Sequence, residues 1–111
     1  MKFLTISKMK DIASTVPPSV MRQLMEATLD LMNQEMKAGR ILEAYFMAGS
    51  GSSMVIAEAK SAEEIVQRIS ALPVGGFMDL ETYPLADFNE SMKAYIESYK
   101  AAEKMFPAPP K

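Results

Sequence analysis

The sequence predicts an α+β fold of the ferredoxin-like βαββαβ kind, a four-stranded antiparallel sheet with two helices on one face and a further helix at the carboxyl end. Three observations predict it. Short β-favouring runs recur as FLTIS, ILEAYFMA and FMDLETY. Two intervening segments carry apolar residues at helical spacing. The elements alternate as two strand–helix–strand halves, the split arrangement in which both helices cover the same side of the sheet. At 111 residues, with 49% hydrophobic and 23% charged, the chain has the balance of one globular domain. That domain is expected over residues 1–106, with 107–111 a Pro-rich extended tail.

The first strand is expected over Phe3 to Ser7. Pro17 and Pro18 followed by Ser19 form a helix entry, and the chain then runs without a breaker to Gly39, a natural stop. Along that helix Val20, Leu24, Ala27 and Leu31 form one stripe and Met21, Met25, Thr28, Met32 and Met36 an adjacent one, which predicts a wide buried face. Ile41 to Ala48 reads as the second strand, GSGSS as a hairpin connection, and Ser53 to Ala59 as the third strand. Ser61 opens a capping box with Glu64, and the second helix continues to Pro73. After Gly75 and Gly76, Phe77 to Tyr83 is the fourth strand, which Pro84 is expected to end. Asp87 with Glu90 caps a last helix that reaches Met105 or Phe106.

Alternation divides each strand between two faces. If the more apolar set packs on the helices, Leu4 and Ile6 turn inward. The uncovered face then collects Thr5, Ser7, Glu43, Tyr45, Asp79, Glu81 and Tyr83 beside Phe3, Phe77 and Met47. Glu58 is ambiguous, since either set of the third strand suits the helices. Turned inward, it would be a desolvated carboxylate suited to proton transfer. A single layer of helices leaves the opposite side of the sheet uncovered, and a second copy related by a twofold axis is the simplest cover.

Composition excludes several chemistries. A formal net charge of -2 and scattered lysines give no cationic field for nucleic acid. Without cysteine there is no disulfide, thiolate nucleophile or iron–sulfur cluster, and without histidine the usual base near neutral pH is missing. Acid–base work falls to Asp, Glu, Tyr or Lys. No apolar run has the length of a signal peptide or a membrane span, which predicts a cytoplasmic protein with neither membrane nor nucleic acid as partner. GSGSS lacks the lysine and the following helix of a phosphate-binding loop.

The string Ala71-Leu72-Pro73-Val74-Gly75-Gly76-Phe77-Met78-Asp79-Leu80-Glu81 resembles the LP-x-x-x-[YF]-MD-[IL]-E signature of the muconolactone delta-isomerase family. Upstream, Ala48-Gly49 and SMVIAEAKSAEEI resemble that family's turn, its third strand with an acidic end, and its S-x-E-E-[LI] helix start. The likeness covers roughly Gly39 to Leu85. It implies a dimeric α+β barrel in which two sheets face each other, a homodimer or ring of dimers, and a small-molecule site without metal or organic cofactor. The implied reaction shifts a double bond in an unsaturated lactone by proton transfer, which needs a base, an acid and polarisation of an enolate oxygen. The family's second strand carries basic and imidazole side chains; ILEAYFMA offers Glu43 and no cation, which favours a neutral or less polar substrate. The terminal helix is longer than in the isomerases, suited to capping a neighbouring subunit.

The candidate catalytic residues are therefore Glu58, Glu81, Asp79 and Tyr45, the carboxylates as bases or acids and the phenol as a donor to a developing oxyanion. Glu43, Tyr83, Phe77, Phe3 and Met47 are the candidate substrate contacts. Each has a plainer reading: carboxylates paired with lysines across a sheet, tyrosines packed at an interface, methionines filling a core. Two other functions suit the same fold. One is cofactor-free oxygenation of an electron-rich aromatic, as in the antibiotic-biosynthesis monooxygenases; the other is a non-catalytic self-assembling binding protein.

Overall fold

A computed structural model describes residues 1–110; Lys111, the last residue of the expected tail, lies outside them. The strands are β1 (Lys2–Met9), β2 (Ile41–Met47), β3 (Ser52–Glu58) and β4 (Met78–Leu85), and the helices are α1 (Pro18–Lys37), α2 (Ala62–Ser70) and α3 (Phe88–Met105). The four strands form one sheet in the order β2-β3-β1-β4, every pairing antiparallel. This is the predicted ferredoxin-like α+β fold. Short 3₁₀ turns at Asp11–Thr15 and Gly75–Phe77 add to it.

Local chemistry accounts for the boundaries. Pro18 stands in the first turn of α1, and Gly39 follows its end at φ +79°, a left-handed conformation that a side chain disfavours. Ser61 Oγ accepts from Glu64 N at 3.2 Å, while the Glu64 carboxylate turns back to accept from Lys60 N at 2.8 Å. Asp87 caps α3 by accepting from Glu90 N at 2.9 Å. At Gly75 a Cβ would stand 3.0 Å from the Ile69 carbonyl oxygen, so the absence of a side chain there lets the chain pass close to the end of α2.

Two boundaries differ from expectation. Pro84 lies within β4 instead of ending it, because β4 is an outer strand and edge positions tolerate a residue without an N–H. Phe77 belongs to the 3₁₀ turn before β4, where its carbonyl accepts from Lys10 N at 2.8 Å.

The larger correction concerns β1. The ring of Phe3, 1% exposed, packs with Ala57, Ala59, Ile65 and Ile69 on the helix side of the sheet. With a side-chain period of two, anchoring Phe3 there carries Thr5 and Ser7 to the same side and sends Leu4 and Ile6 to the other. The apolar pair therefore faces away from the helices, the reverse of the expected arrangement. Cross-strand register extends this division: Thr5 stands opposite Val55 and Thr82, and Leu4 opposite Ile56 and Tyr83. The predicted wide buried face of α1 is also not found. Thr28 is its one buried residue, and Val20, Met25, Leu29 and Met36 are exposed.

Candidate functional site

The inward shift of Thr5 and Ser7 opens a hollow between sheet and helices. A cavity of about 210 Å³ lies there, walled by Val55, Ala57, Ile65, Ile69, Leu72 and Leu80 and studded with the hydroxyls of Thr5, Ser7, Ser53 and Thr28. These hydroxyls are partnered. Thr5 Oγ1 meets Thr82 Oγ1 at 3.1 Å, and Ser7 is hydrogen-bonded to Ser53. Thr28 donates to Leu24 O at 2.8 Å and accepts from Val74 N at 3.3 Å, which ties α1 to the loop before β4. Drug-sized ligand sites span roughly 300–1,000 Å³, so this volume suits a small metabolite.

Two charged side chains line the same cavity, Glu35 from α1 and Arg68 from α2. Arg40 grips Glu35 with both arms of its guanidinium, Nε to Oε2 at 2.5 Å and Nη2 to Oε1 at 2.9 Å. That hydrogen bonding holds the Glu35 carboxyl below the usual glutamate range; partial burial opposes the shift, and the charges of Arg40 and Arg68 reinforce it. Arg68 is fixed by donating to Glu58 O at 2.6 Å and to Glu64 Oε1 at 2.8 Å. A planar guanidinium held by the backbone and a carboxylate is a preorganised donor for an oxyanion.

The residues singled out from sequence lie elsewhere. Glu43, Tyr45 and Met47 stand on β2, Glu58 on β3, and Asp79, Glu81 and Tyr83 on β4, all on the helix-free face. Glu58 pairs with Lys2, and its neighbours Ile56 and Met54 pair with Leu4 and Ile6, which resolves its ambiguity outward. The outer strands β2 and β4 are separated by three strand spacings, about 14 Å at ~4.8 Å each, so the acidic groups form two clusters at opposite edges. Between them the face is apolar, with Leu4, Ile6, Met54 and Ile56 at its centre. Asp79 stands opposite Lys8, the plain cross-strand pairing of unlike charges. Tyr83 Oη donates to Glu81 Oε2 at 2.8 Å, and this bond raises the phenol above its ordinary value. Phe3 and Phe77 are on this face in neither case: one is core beneath the helices, the other half-buried in its turn. Among the described residues no three acidic side chains gather as a metal-binding group.

Glu35 and Arg68 were missed by the strand-centred reading, which placed Thr28 only in a packing stripe of the first helix. The signal was present: Thr28, Leu31, Met32 and Glu35 recur at helical spacing on one face of α1, as do Ile65, Arg68, Ile69 and Leu72 beside α2.

The family model described as muconolactone delta-isomerase matches residues 1–91, most of the chain. The chain belongs to the muconolactone delta-isomerase family. Among solved structures, a muconolactone isomerase superposes with a TM-score of 0.69 at 21% identity, covering 78% of this chain and 90% of the other. A 5-chloro-2-hydroxyhydroquinone dehydrochlorinase from Burkholderia phenoliruptrix AC1100, in complex with 2,5-dihydroxybenzoquinone, superposes with a TM-score of 0.54 at 19% identity, covering 81% and 98%. At these identities the two structures establish a shared fold. No curated protein matches the sequence. The family signature Leu72 to Glu81 thus builds the end of α2's connection, the close passage at Gly75 and the first half of β4, with Leu72, Met78 and Leu80 on the cavity and Asp79 and Glu81 behind it.

Proposed function

We propose that the protein is a small cofactor-independent enzyme that isomerises or cyclises a small lactone-like or apolar metabolite by proton transfer, in the cavity between sheet and helices. The observation that carries this reading is the inverted sheet: the central strands turn their hydroxyls toward the enclosed side and Leu4, Ile6, Met54 and Ile56 toward the open one. A protein stabilising a dry core would favour the opposite arrangement. Membership of the isomerase family and the ring compounds named for the two solved structures support the substrate class.

In this mechanism the ionised Glu35 takes a proton from carbon alpha to the substrate carbonyl. The C–H electron pair moves into the conjugated system, and the resulting enolate oxygen is held by Arg68 and the wall hydroxyls. Protonated Glu35 then returns the proton to the far carbon of the conjugated unit, so the double bond moves and nothing is gained or lost. The Arg40 fork keeps Glu35 ionised at neutral pH at the expense of basicity, so oxyanion stabilisation by Arg68 carries much of the barrier reduction.

The Tyr83–Glu81 hydrogen bond favours a second reading, in which the open-face groups Glu81, Asp79, Glu58 and Tyr45 act between two copies of the chain. The test for both is deuterium exchange at the carbon alpha to the carbonyl, followed by NMR in D₂O, with muconolactone and its neutral methyl ester as probes. The cavity reading expects Glu35→Gln to slow exchange by roughly 10²-fold or more while Glu81→Gln, Asp79→Asn and Glu58→Gln do not. The reverse pattern would establish the open-face reading, and no exchange of either probe by the wild type would sink the lactone assignment.

A further inference from the structure

The cavity between sheet and helices is not closed. It opens into an apolar groove of about 510 Å³ between α1 and the outer strand β2, walled by Met25, Leu29, Met36, Ala44 and Phe46. Ser7, Thr28, Met32, Ser53, Val55 and Met78 line both spaces, so cavity and groove are one continuous hollow. The cavity alone is small for a ligand site, whereas the groove falls within the range of roughly 300–1,000 Å³ that such sites occupy. Three turns of α1, from Met25 to Met36, give the groove a length of roughly 16 Å at about 1.5 Å per residue.

The two ends of this hollow differ in chemistry. Glu35, Arg68 and the Thr5 hydroxyl line the inner part only. The charged residues bordering the outer part are matched: Arg22 donates to Glu26 at 2.8 Å, and Lys8 stands opposite Asp79 on β4. Met25, Leu29, Met36 and Phe46 are exposed, a contiguous apolar patch of the kind that marks a binding groove. Its composition also selects among apolar occupants. Unbranched thioethers shape themselves to irregular, flexible groups. Among the described residues Phe46 is the one aromatic ring on this side of β2, since Ala44 and Phe46 pair with the helix-facing Val55 and Ser53 while Tyr45 pairs with Met54 on the open face. The wall therefore offers dispersion along a chain and no pair of rings between which a second ring would stack.

We infer that the ligand is bipartite: a small carbonyl ring that enters the inner cavity and an uncharged alkyl chain that lies in the α1–β2 groove. The polarity gradient fixes the direction, with the ring oxygen toward Arg68 and the chain toward Met25, Leu29 and Met36. A chain bearing a carboxylate or phosphate at its far end finds no free cation in the groove and is disfavoured there. This inference rests on the cavity being the ligand site, and it narrows the substrate class to alkyl-substituted lactones and related cyclic ketones.

The test is a homologous series of saturated lactones titrated by calorimetry into the full chain. Each methylene buried in the groove tightens binding by up to about fourfold, the equivalent of about 0.8 kcal/mol. The dissociation constant should fall at least tenfold from γ-octalactone to γ-dodecalactone; a smaller gain, or no binding of either, overturns the inference. Leu29→Asp places a charge at an exposed groove position, so the fold survives while the chain-length gain drops at least fivefold. Val66→Asp, an equally exposed apolar site on α2 outside both spaces, should keep the gain. A full gain in Leu29→Asp, or an equal loss in Val66→Asp, overturns it. Methyl-labelled methionine reads the direction by NMR: the terminal methyl of bound γ-dodecalactone should show contacts to Met25 or Met36, and contacts to Ile69 or Leu72 instead would mean that the chain points inward and would overturn it. A chain-length gain without proton exchange in muconolactone or its methyl ester keeps the bipartite site and rejects the proposed reaction. Exchange without the gain keeps the reaction and rejects the bipartite site.

Discussion

The hydroxyls of Thr5 and Thr82, on the adjoining strands β1 and β4, meet at 3.1 Å on the side of the sheet that the helices cover. Each satisfies the other, so removing one strands the other in a half-buried setting, whereas removing both does not. Thr5→Val and Thr82→Val should each lower stability by about 1 kcal/mol, and the double variant by clearly less than the sum. Urea unfolding of the four proteins gives the cycle, and additive losses would mean that the bond contributes nothing of its own.

Glu35 provides a pH signature. Its carboxyl is held below the ordinary 4.5, first by the Arg40 hydrogen bonds and further by the charges of Arg40 and Arg68. A depressed folded-state value stabilises the fold fully above the unfolded value and loses that contribution as pH falls through the folded one. Glu35→Gln should therefore melt below the wild type at pH 7, with the gap closing once pH drops beneath 4.5. Glu64 is also held low, by Lys60 N and Arg68, and titrates in the same window. The wild-type-minus-variant difference in melting temperature isolates Glu35, and a gap that stays constant down to pH 3 would contradict its role.

The order and number of elements were legible because they depend on local signals: Pro18 at a helix start, Gly39 after its end, Ser61 and Asp87 as caps. The faces were not. Alternation gives two sets of side chains per strand without saying which is inside, and β1 is decided by the single bulky Phe3 against the summed preference of Leu4 and Ile6. The candidate site followed that error. The carboxylates of LPVGGFMDLETYPL were correctly assigned to the helix-free side, while Glu35 and Arg68 were not singled out, because a charge at an inward helix position becomes visible as part of a site only once the cavity is known.

Ile65 measures how much of the core the cavity leaves. At 2% exposure it is among the few buried apolar side chains and packs with Phe3, Ala57 and Ala59 at the cavity wall. Ile65→Ala should lower stability by about 2–5 kcal/mol. Because the new space adjoins an existing hollow, the variant should also bind the fluorescent apolar probe N-phenyl-1-naphthylamine more tightly. Thermal melts and probe titration check the two effects, and a loss under about 1 kcal/mol would place the core elsewhere.

Tyr83 and Glu81 carry a prediction in alkali. The phenol is raised above its ordinary 10.0, chiefly by donating to Glu81 and further by that carboxylate's charge. Ultraviolet titration of wild type minus Tyr83→Phe should show one tyrosine ionising above the usual range, and Glu81→Gln should bring it down. A raised value that survives Glu81→Gln would assign the shift to another cause.

The helix-free face makes the last prediction. Its centre is Leu4, Ile6, Met54 and Ile56 from the two inner strands, and its rim is acidic and phenolic, with Glu43 and Tyr45 at one edge and Asp79, Glu81 and Tyr83 at the other. An apolar centre inside a polar rim is the anatomy of a protein interface, and a twofold axis would bring the same patch against itself. Ile6 sits where burial on association is greatest, so Ile6→Lys introduces an unpaired charge twice in each dimer. Light scattering across a dilution series should show the dissociation constant rising by at least about 100-fold, close to 3 kcal/mol. Ile6→Val, which keeps the face apolar, should leave assembly nearly unchanged. If Ile6→Lys assembles like the wild type, the sheet face is a wetted surface, and the open-face reading of Glu81 and Tyr83 loses the enclosure that its chemistry requires.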